Sequence, residues 1–538
     1  MQRALLLLAF PVLLPAQRRA DPVLLRTPGE VVDQVDRLRV LVGQQAPDGG
    51  ELRSASGRAA PDDSGRRVWM LPLTAQLRWN TPLPWGSNDG ALRAGRGGNV
   101  LLSGGLGMRR ARVSVVLAPQ LVHEENRPFL VLPWDQTRAA SRSIWAHPYL
   151  PAPESADWPL RFGARPRTQL LLGQSRVAVE VSPRARVGLS TENRWWGPGA
   201  FNALLLSSNA PGFPHLFVEM PTPWRTRVGS LEAQYLLGTL RESPVFDADP
   251  ANDRRSLAAG AVVWRPAGAV AFLPTLGIAR AVMGAGPAAL GDLLNVFRDV
   301  GRPVTTPGDI NRRGRRDQIT DLFLRWQVPG SGVEAYAEWA RYEFPGSLRD
   351  FLEFPGHTQG YTVGFQTAVP SGRASTLHLQ TEFTYTEPST SLRLRPTGLS
   401  YTSPVLPQGW THEGQMLGPA IGPAGSSQHL AADWHGRARR VGLTVGRIRW
   451  LNGPLFTDVV PGGQGKLPDV TLFGTLRGAF PLGPAAALLE VTHGVRLAYL
   501  NQAILRDPVR GYYEGVDFST WSVALTLTPS VEGVFFRR

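Results

Sequence analysis

The sequence predicts an all-β fold, a transmembrane barrel of antiparallel strands preceded by a small helical segment. Three observations carry this. From residue 98 onward, apolar and polar residues alternate with a period of two. The alternating segments are about ten residues long, which is what a tilted strand needs to cross a bilayer. Their polar positions hold Glu, Arg, Gln and His, which the dry core of a soluble sandwich would not tolerate unpaired.

The chain begins MQRALLLLAFPVLLPAQRR, with Arg3, an apolar run from Ala4 to Leu14 and a small residue at Ala16. This is the layout of a secretory signal peptide, assigned to residues 1–16. Pro11 and Pro15 argue against a buried helix there. No cysteine follows, so the leader is not of the lipoprotein type. Past it, no stretch approaches the roughly 18 apolar residues of a membrane-spanning helix. For an exported chain that crosses a bilayer, the closed barrel remains, because every backbone polar group must be paired internally.

Residues 17–97 read as an N-terminal periplasmic helical segment and linker. In TPGEVVDQVDRLRVLVG, Val31, Val35, Leu38 and Leu41 recur at helical spacing. Thr27 is the expected cap, with Pro28 in the first turn, Glu30 closing a capping box and Gly43 ending the helix. Residues 46–66 are rich in Gly, Pro and Ser and read as a linker.

Residues 98–538 are assigned to the barrel. SRVAVEVSP places Val177, Val179 and Val181 opposite Arg176, Glu180 and Ser182. SLEAQYLLG, GVEAYAEWARY, TLHLQTEFTYTE and WSVALTLTP repeat the pattern, setting Glu232, Gln234, Glu334, Tyr336, Glu338, His378 and Glu382 on the polar face. Roughly sixteen to eighteen such segments are present, with long breaks near 134–165, 241–256, 283–316, 388–428 and 452–467, the asymmetry expected of short turns on one side and long loops on the other. Trp264, Trp326, Trp339, Trp450 and Trp521 stand at segment ends, as in aromatic girdles. The tail VEGVFFRR departs from the terminal aromatic common in such barrels.

The 538 residues include 58 Gly, 47 Pro and no Cys, which excludes disulfides and thiolate metal sites. The formal charge is +14, carried by arginine except for Lys466. No nucleic-acid-binding motif accompanies it. An acidic polymer and the lipid or lipopolysaccharide surface remain as partners, the dense loop NRRGRRD (Asn311–Asp317) being suited to either.

Catalytic constellations are missing. HEEN at His123 and HEGQ at His412 lack the second histidine of a zinc motif, and no nucleophile elbow or phosphate loop occurs. The glycines of LSGGLGMRR precede a strand rather than a helix. Neither cofactor nor metal is expected. The inward glutamates Glu180, Glu192, Glu232, Glu334, Glu338 and Glu382 read as a solvated wall paired with arginines; a close pair of them would be needed for glycan hydrolysis.

One stretch stands apart: RWWGPGAFNALLLSSNAPGFP, Arg194 to Pro214. Flat rings beside charged and amide groups suit a sugar, whose C–H face stacks while its hydroxyls find hydrogen bonds; an aromatic girdle, or a loop folded inward to plug the lumen, accounts for the same residues. Aromatic and polar clustering marks Glu192, Arg194, Trp195, Trp196, Asn209, Glu338 and Trp410 as candidate polysaccharide contacts.

At these residues the chain resembles the Wzi family of capsule assembly proteins. The family's Arg-Trp-Trp-Gly-Pro-Gly motif is matched at Arg194–Gly199; Ser208 and Gly212 depart from the turn that follows. GWTHEGQMLGPAIGPAG (Gly409–Gly425) is similar to a later family segment, with Pro419 where a His is usual, and VEAYAEWARYEF is similar to its acidic aromatic strand. The resemblance implies an outer-membrane barrel of about eighteen strands. It also implies a lectin-like, non-enzymatic activity: binding exported capsular or related polysaccharide and helping to attach it at the cell surface. A monomer is expected. A diffusion channel or transporter is the alternative, followed by an outer-membrane hydrolase.

Overall fold

The alternating segments form one closed ring of 18 antiparallel staves. The computed structural model describes residues 27–45, 50–55, 68–131, 144–150, 155–298, 316–328, 331–343, 348–372, 374–393, 398–453, 467–483, 485–507, 509–510, 512–528 and 535. The leader, most of the linker, residues 311–315 of the basic loop and nearly all of the tail lie outside the described residues.

The first nine staves are β1 (Val68–Thr81), β2 (Gly97–Arg110), β3 (Val113–Leu117 and Gln120–Glu124), β4 (Arg167–Leu171 and Arg176–Ser182), β5 (Ala185–Ser190), β6 (His215–Glu219 and Trp224–Thr226), β7 (Gly229–Arg241), β8 (Arg254–Pro266) and β9 (Thr275–Ala285). The remaining nine are β10 (Arg316–Val328), β11 (Val333–Arg341), β12 (Gln359–Pro370), β13 (Thr376–Tyr385), β14 (Ser426–His435), β15 (Arg440–Arg449), β16 (Val470–Leu482), β17 (Ala485–Leu497) and β18 (Phe518–Thr528). Each pairs with its chain neighbour, and β18 pairs with β1 from Ala75↔Leu527 to Thr81↔Trp521 to close the ring.

The barrel therefore begins at Val68, not at residue 98. The alternation of β1 is broken by Pro72 and by a register shift between Leu71 and Thr74, so that Val68 and Met70, then Leu73, Leu77 and Trp79, face outward. The two halves of one strand are out of phase, and period two does not read across them.

The outer face is apolar and the inner face polar. Leu430, Val441, Leu443, Leu472 and Leu476 are exposed on the outside, while Glu334, Gln366 and Glu382 are fully buried on the inside. A continuous apolar outer surface of this extent calls for hydrocarbon as solvent. No helix among the described residues is long and apolar enough to cross a membrane. Trp224, Trp264, Trp326 and Trp434 lie outward near the short-turn end; Trp79, Tyr361, Tyr385 and Trp521 lie outward near the long-loop end. Two interfacial belts result. Trp450 is a correction: it leaves the wall after β15, and its indole N–H donates to Thr471 at 2.8 Å.

The helix α1 (Val31–Leu41) lies inside the ring at the short-turn end rather than beneath it. Val35, Leu38 and Leu41 pack with Ala368 of β12, and Arg37 reaches Glu334 of β11 at 2.7 Å. The cap is Glu30, not Thr27; the amide of Gly29 is bound by Asp33 at 2.9 Å. Gly43 ends the helix with φ +76°, its amide bonded to Val40 O and that of Gln44 to Arg39 O, the paired closing bonds of a Schellman motif.

The connection between β5 and β6 does not project outward. It turns into the lumen, where Arg194–Trp196 pairs antiparallel with Leu52–Ser54 from the N-terminal segment. The connection between β13 and β14 joins it: the Ser207 amide bonds Leu417 O at 2.8 Å, and Tyr401 Oη donates to Leu204 O at 2.6 Å. Together these form a plug with an apolar heart of Trp196, Leu204, Leu206, Phe213, Trp410 and Leu417.

Candidate functional site

Two features of the interior are built to do work: the plug and the space beside it. The plug is held from the wall by charge. Arg194 binds Glu192 at 2.8 Å and Glu219 of β6 at 2.8 Å, while Arg176 of β4 binds Glu219 at 2.6 Å and Glu192 at 3.5 Å. Two cations and two anions thus alternate around one site, and both guanidiniums lie over the Phe217 ring at 4.7 and 4.9 Å. In a buried setting such alternation compensates desolvation, and loss of any member exposes its neighbours to uncompensated charge.

Trp195 and Trp196 are both 0% exposed. Arg53 stacks over Trp195 at 4.8 Å and is itself tied to Asp33 at 2.6 Å. The Trp196 indole donates to Gln234 of β7 at 2.9 Å. The Gly-Pro-Gly turn that follows presents consecutive backbone amides to two wall carboxylates. Glu338 accepts from Gly199 at 2.6 Å and Leu204 at 2.9 Å; Glu382 accepts from Ala200 at 2.6 Å and Asn202 at 2.8 Å, and from Phe201. The turn is an anion-binding nest occupied by the protein's own side chains.

Gly197 sits at φ +103°, and a Cβ there would strike the Glu338 carboxylate. Gly197→Ala is expected to cost about 1–3 kcal/mol from backbone strain alone, read as a lower urea midpoint of the detergent-solubilised barrel. An unchanged midpoint would remove this turn from the hold on the plug.

Of the seven residues that the sequence marks for sugar contact, Glu192, Arg194, Trp195, Trp196, Glu338 and Trp410 are buried inside this assembly. Trp410 donates to Asp317 at 3.1 Å, and Asn209, half-buried, donates to Met416 O at 3.1 Å. The structure brings the seven into one plugged lumen but buries all three tryptophan rings. The inward glutamates are engaged as well: Glu180 with Arg109 and Arg186, Glu232 with Arg265, Glu334 with Arg37 and Arg325. Among the described residues, no group of three His, Asp or Glu side chains is placed to hold a metal ion.

The space beside the plug is a cleft of about 330 Å³ against β1, β2 and β15–β18. Its lining pairs rings with hydroxyls and charges. Trp85 meets Phe473 at 4.9 Å, Phe201 stacks on His429 at 4.5 Å, and Arg496 lies 5.1 Å over Trp450. Thr475 and Thr492 bond at 2.8 Å. Asp89 pairs with Arg78 at 2.7 Å, and burial pushes its carboxyl up despite that partner. Sequence reasoning missed this set. The signal available was Phe473, a ring on the polar face of VTLFGTLRG between Thr471 and Thr475.

Residues 110–445 match the family model described as capsule assembly protein Wzi. The chain belongs to the Wzi capsule assembly family. Among solved structures, it is similar to Wzi of Escherichia coli, described as an outer-membrane, carbohydrate-binding β-barrel involved in group 1 capsule assembly. The identity is 12%, the TM-score is 0.54, and 94% of this chain and 89% of that one are covered. A Pseudomonas aeruginosa barrel, OccK2, aligns at 11% identity and a TM-score of 0.39, over 86% of this chain and 96% of that one. No curated protein sequence matches. As a Wzi-family barrel, the protein resides in the outer membrane, where short turns face the periplasm and long loops the exterior.

Proposed function

We propose that this Wzi-family barrel is a lectin-like protein that binds exported capsular or related polysaccharide and holds it at the cell surface without covalent chemistry. The observation that carries this reading is the cleft, where Trp85, Phe201, Phe473 and Trp450 offer ring faces and threonines and arginines offer hydrogen bonds. Sugars are recognised by that combination. Glu192, Arg194, Trp195, Trp196, Asn209, Glu338 and Trp410 serve the site by seating the plug that forms one of its walls. Arginines at the cleft favour an acidic polymer. The glutamates that a hydrolase would use are spent on arginines and backbone amides.

The test is saturable binding of acidic and neutral capsular polysaccharides to the refolded barrel. Trp85→Ala and Trp450→Ala are each expected to weaken binding about tenfold, equivalent to about 1.4 kcal/mol. Wild-type binding that both variants retain would move the site away from the cleft. One observation supports a second reading. The cleft is lined both by Thr27 and Thr528 near the periplasmic end and by Trp85 and Trp450 near the exterior. Steady conductance in a planar bilayer, with no binding to any polymer, would make the protein a narrow channel.

A further inference from the structure

The outer wall between β5 and β11 differs from the rest of the apolar surface. Two short helices leave the exterior loops and fold down against it: a 3-10 helix, Leu290–Phe297, and α2, Leu348–Glu353. Val296 of the first packs on Leu237 and Ala258, and Tyr235, facing outward, donates to Leu293 O at 2.6 Å. Phe351 of the second packs on Trp339 at 6.3 Å and under Arg341 at 5.3 Å. Both helices nevertheless turn large apolar side chains away from the barrel. Leu290, Leu294 and Phe297 are 79%, 59% and 70% exposed, and Leu348 and Leu352 are 74% and 69% exposed.

Between the helices the wall is hollowed into a groove of about 730 Å³. Gly260, Val262 and Ile278 line it, and Phe297 and Phe351 flank it. Arginine also enters this wall. Arg280 faces outward from β9, donating to Val296 O at 2.6 Å and Arg298 O at 3.0 Å. Arg298 and Arg316 both reach Asn295 at 3.2 Å. Arg341 also faces outward but is paired with Asp350 at 3.8 Å, so Arg280, Arg298 and Arg316 are the arginines at the exterior end; of the other acidic residues on the two helices, Glu353 is bound by Arg349 and Asp292 accepts from Ala289 N and Asn295 Nδ2. A guanidinium on the lipid face of a barrel is destabilising at the midplane and less so near the interface. Such a cost is offset where the lipid itself brings an anion, and arginine matches phosphate geometry well.

The geometry points to a lipid site: an acyl chain lies in the groove, and a phosphate of the same molecule meets the arginines at its exterior end. Because the helices hang from the exterior loops, the lipid is one of the outer leaflet, the phosphorylated, multiply acylated glycolipid that anchors lipopolysaccharide. This site faces the membrane and stands independently of the glycan reading.

The test uses full-length barrel refolded in lipid-free detergent and mixed with purified diphosphorylated lipid A, with retained lipid quantified by native mass spectrometry. Dephosphorylated lipid A and phosphatidylglycerol serve as parallel probes. Retention of about one diphosphorylated molecule per chain is expected, with the other two at least tenfold weaker. The double variant Leu294→Ser/Phe297→Ser removes apolar contact, and Arg298→Gln/Arg316→Gln removes charge; each is expected to lower retention tenfold. Heat-modifiable gel mobility identifies folded protein, and either variant alone suffices if the other fails to fold. Equal retention of phosphatidylglycerol, wild-type retention by a folded variant, or no retention of lipid A would overturn the site.

Discussion

Glu382→Ala is expected to unseat the plug. The Ala200, Phe201 and Asn202 amides would lose their common acceptor in a place that excludes water, and Tyr336 Oη, 2.9 Å from the same carboxylate, would lose its partner as well. Each buried donor left unmade costs about 1–3 kcal/mol, so the three amides alone exceed about 3 kcal/mol. The ring of staves does not depend on this carboxylate, so the barrel should persist while the turn at Gly197–Asn202 comes loose. Planar-bilayer recording should then show a larger conductance than that of the parent protein, and protease should cut within the released turn. An unchanged conductance together with an unaltered digestion pattern would show that the plug is held by other means. Glu382→Gln keeps one acceptor oxygen and is expected to fall between the two.

The second large effect concerns the base of the plug. Arg325 of β10 lies between Glu334 at 2.7 Å and Glu51 at 3.2 Å, with Arg37 of α1 and Arg265 of β8 completing the chain of charges. Arg325→Met leaves two buried carboxylates sharing the remaining arginines, and breaking a buried pair in this way costs about 3–5 kcal/mol. Because Glu334 also anchors α1 through Arg37, the loss should appear first as early proteolysis of the N-terminal segment and then as a lower urea midpoint. Adding Glu51→Gln to Arg325→Met removes one of the orphaned charges and is expected to restore part of the midpoint. If the double variant is no better than the single, the effect is one of packing and not of charge.

Much of this is legible in the sequence, for physical reasons that also mark where legibility ends. Period two is a direct consequence of the pleat, so spacing alone assigns Glu334, Glu338 and Glu382 to the inner face. The first stave escapes that reading because Pro72 and a bulge put its halves out of phase. Trp450 reads as a girdle residue by position, but it sits past the end of its strand and turns toward Arg496 and the cleft. The double tryptophan is harder. Rigid aromatic and charged chemistry is what a ligand site needs, and it is equally what a loop needs in order to close a polar lumen without water. Local sequence cannot separate the two, because the deciding partners, Gln234, Glu338 and Glu382, come from three distant staves. The cleft is invisible for the same reason: Trp85, Phe201 and Phe473 converge only once the ring is closed.

That convergence bears on how the protein is made. The short strand Leu52–Ser54 pairs with Arg194–Trp196, and the carboxylates that fasten the following turn come from β11 and β13. The ring itself is sealed only by β18 meeting β1, the last stave synthesised meeting the first. Contacts of such high sequence separation form late, since loop-closure entropy must be overcome before they reward the chain. Two bulky indoles and a network of paired charges are buried inside that cylinder, so the interior is expected to be loaded while the sheet is still an open, curling ribbon. The expected order of assembly is packing first and seam last, so that a chain arrested before β18 already carries its cargo of N-terminal helix and inward loop.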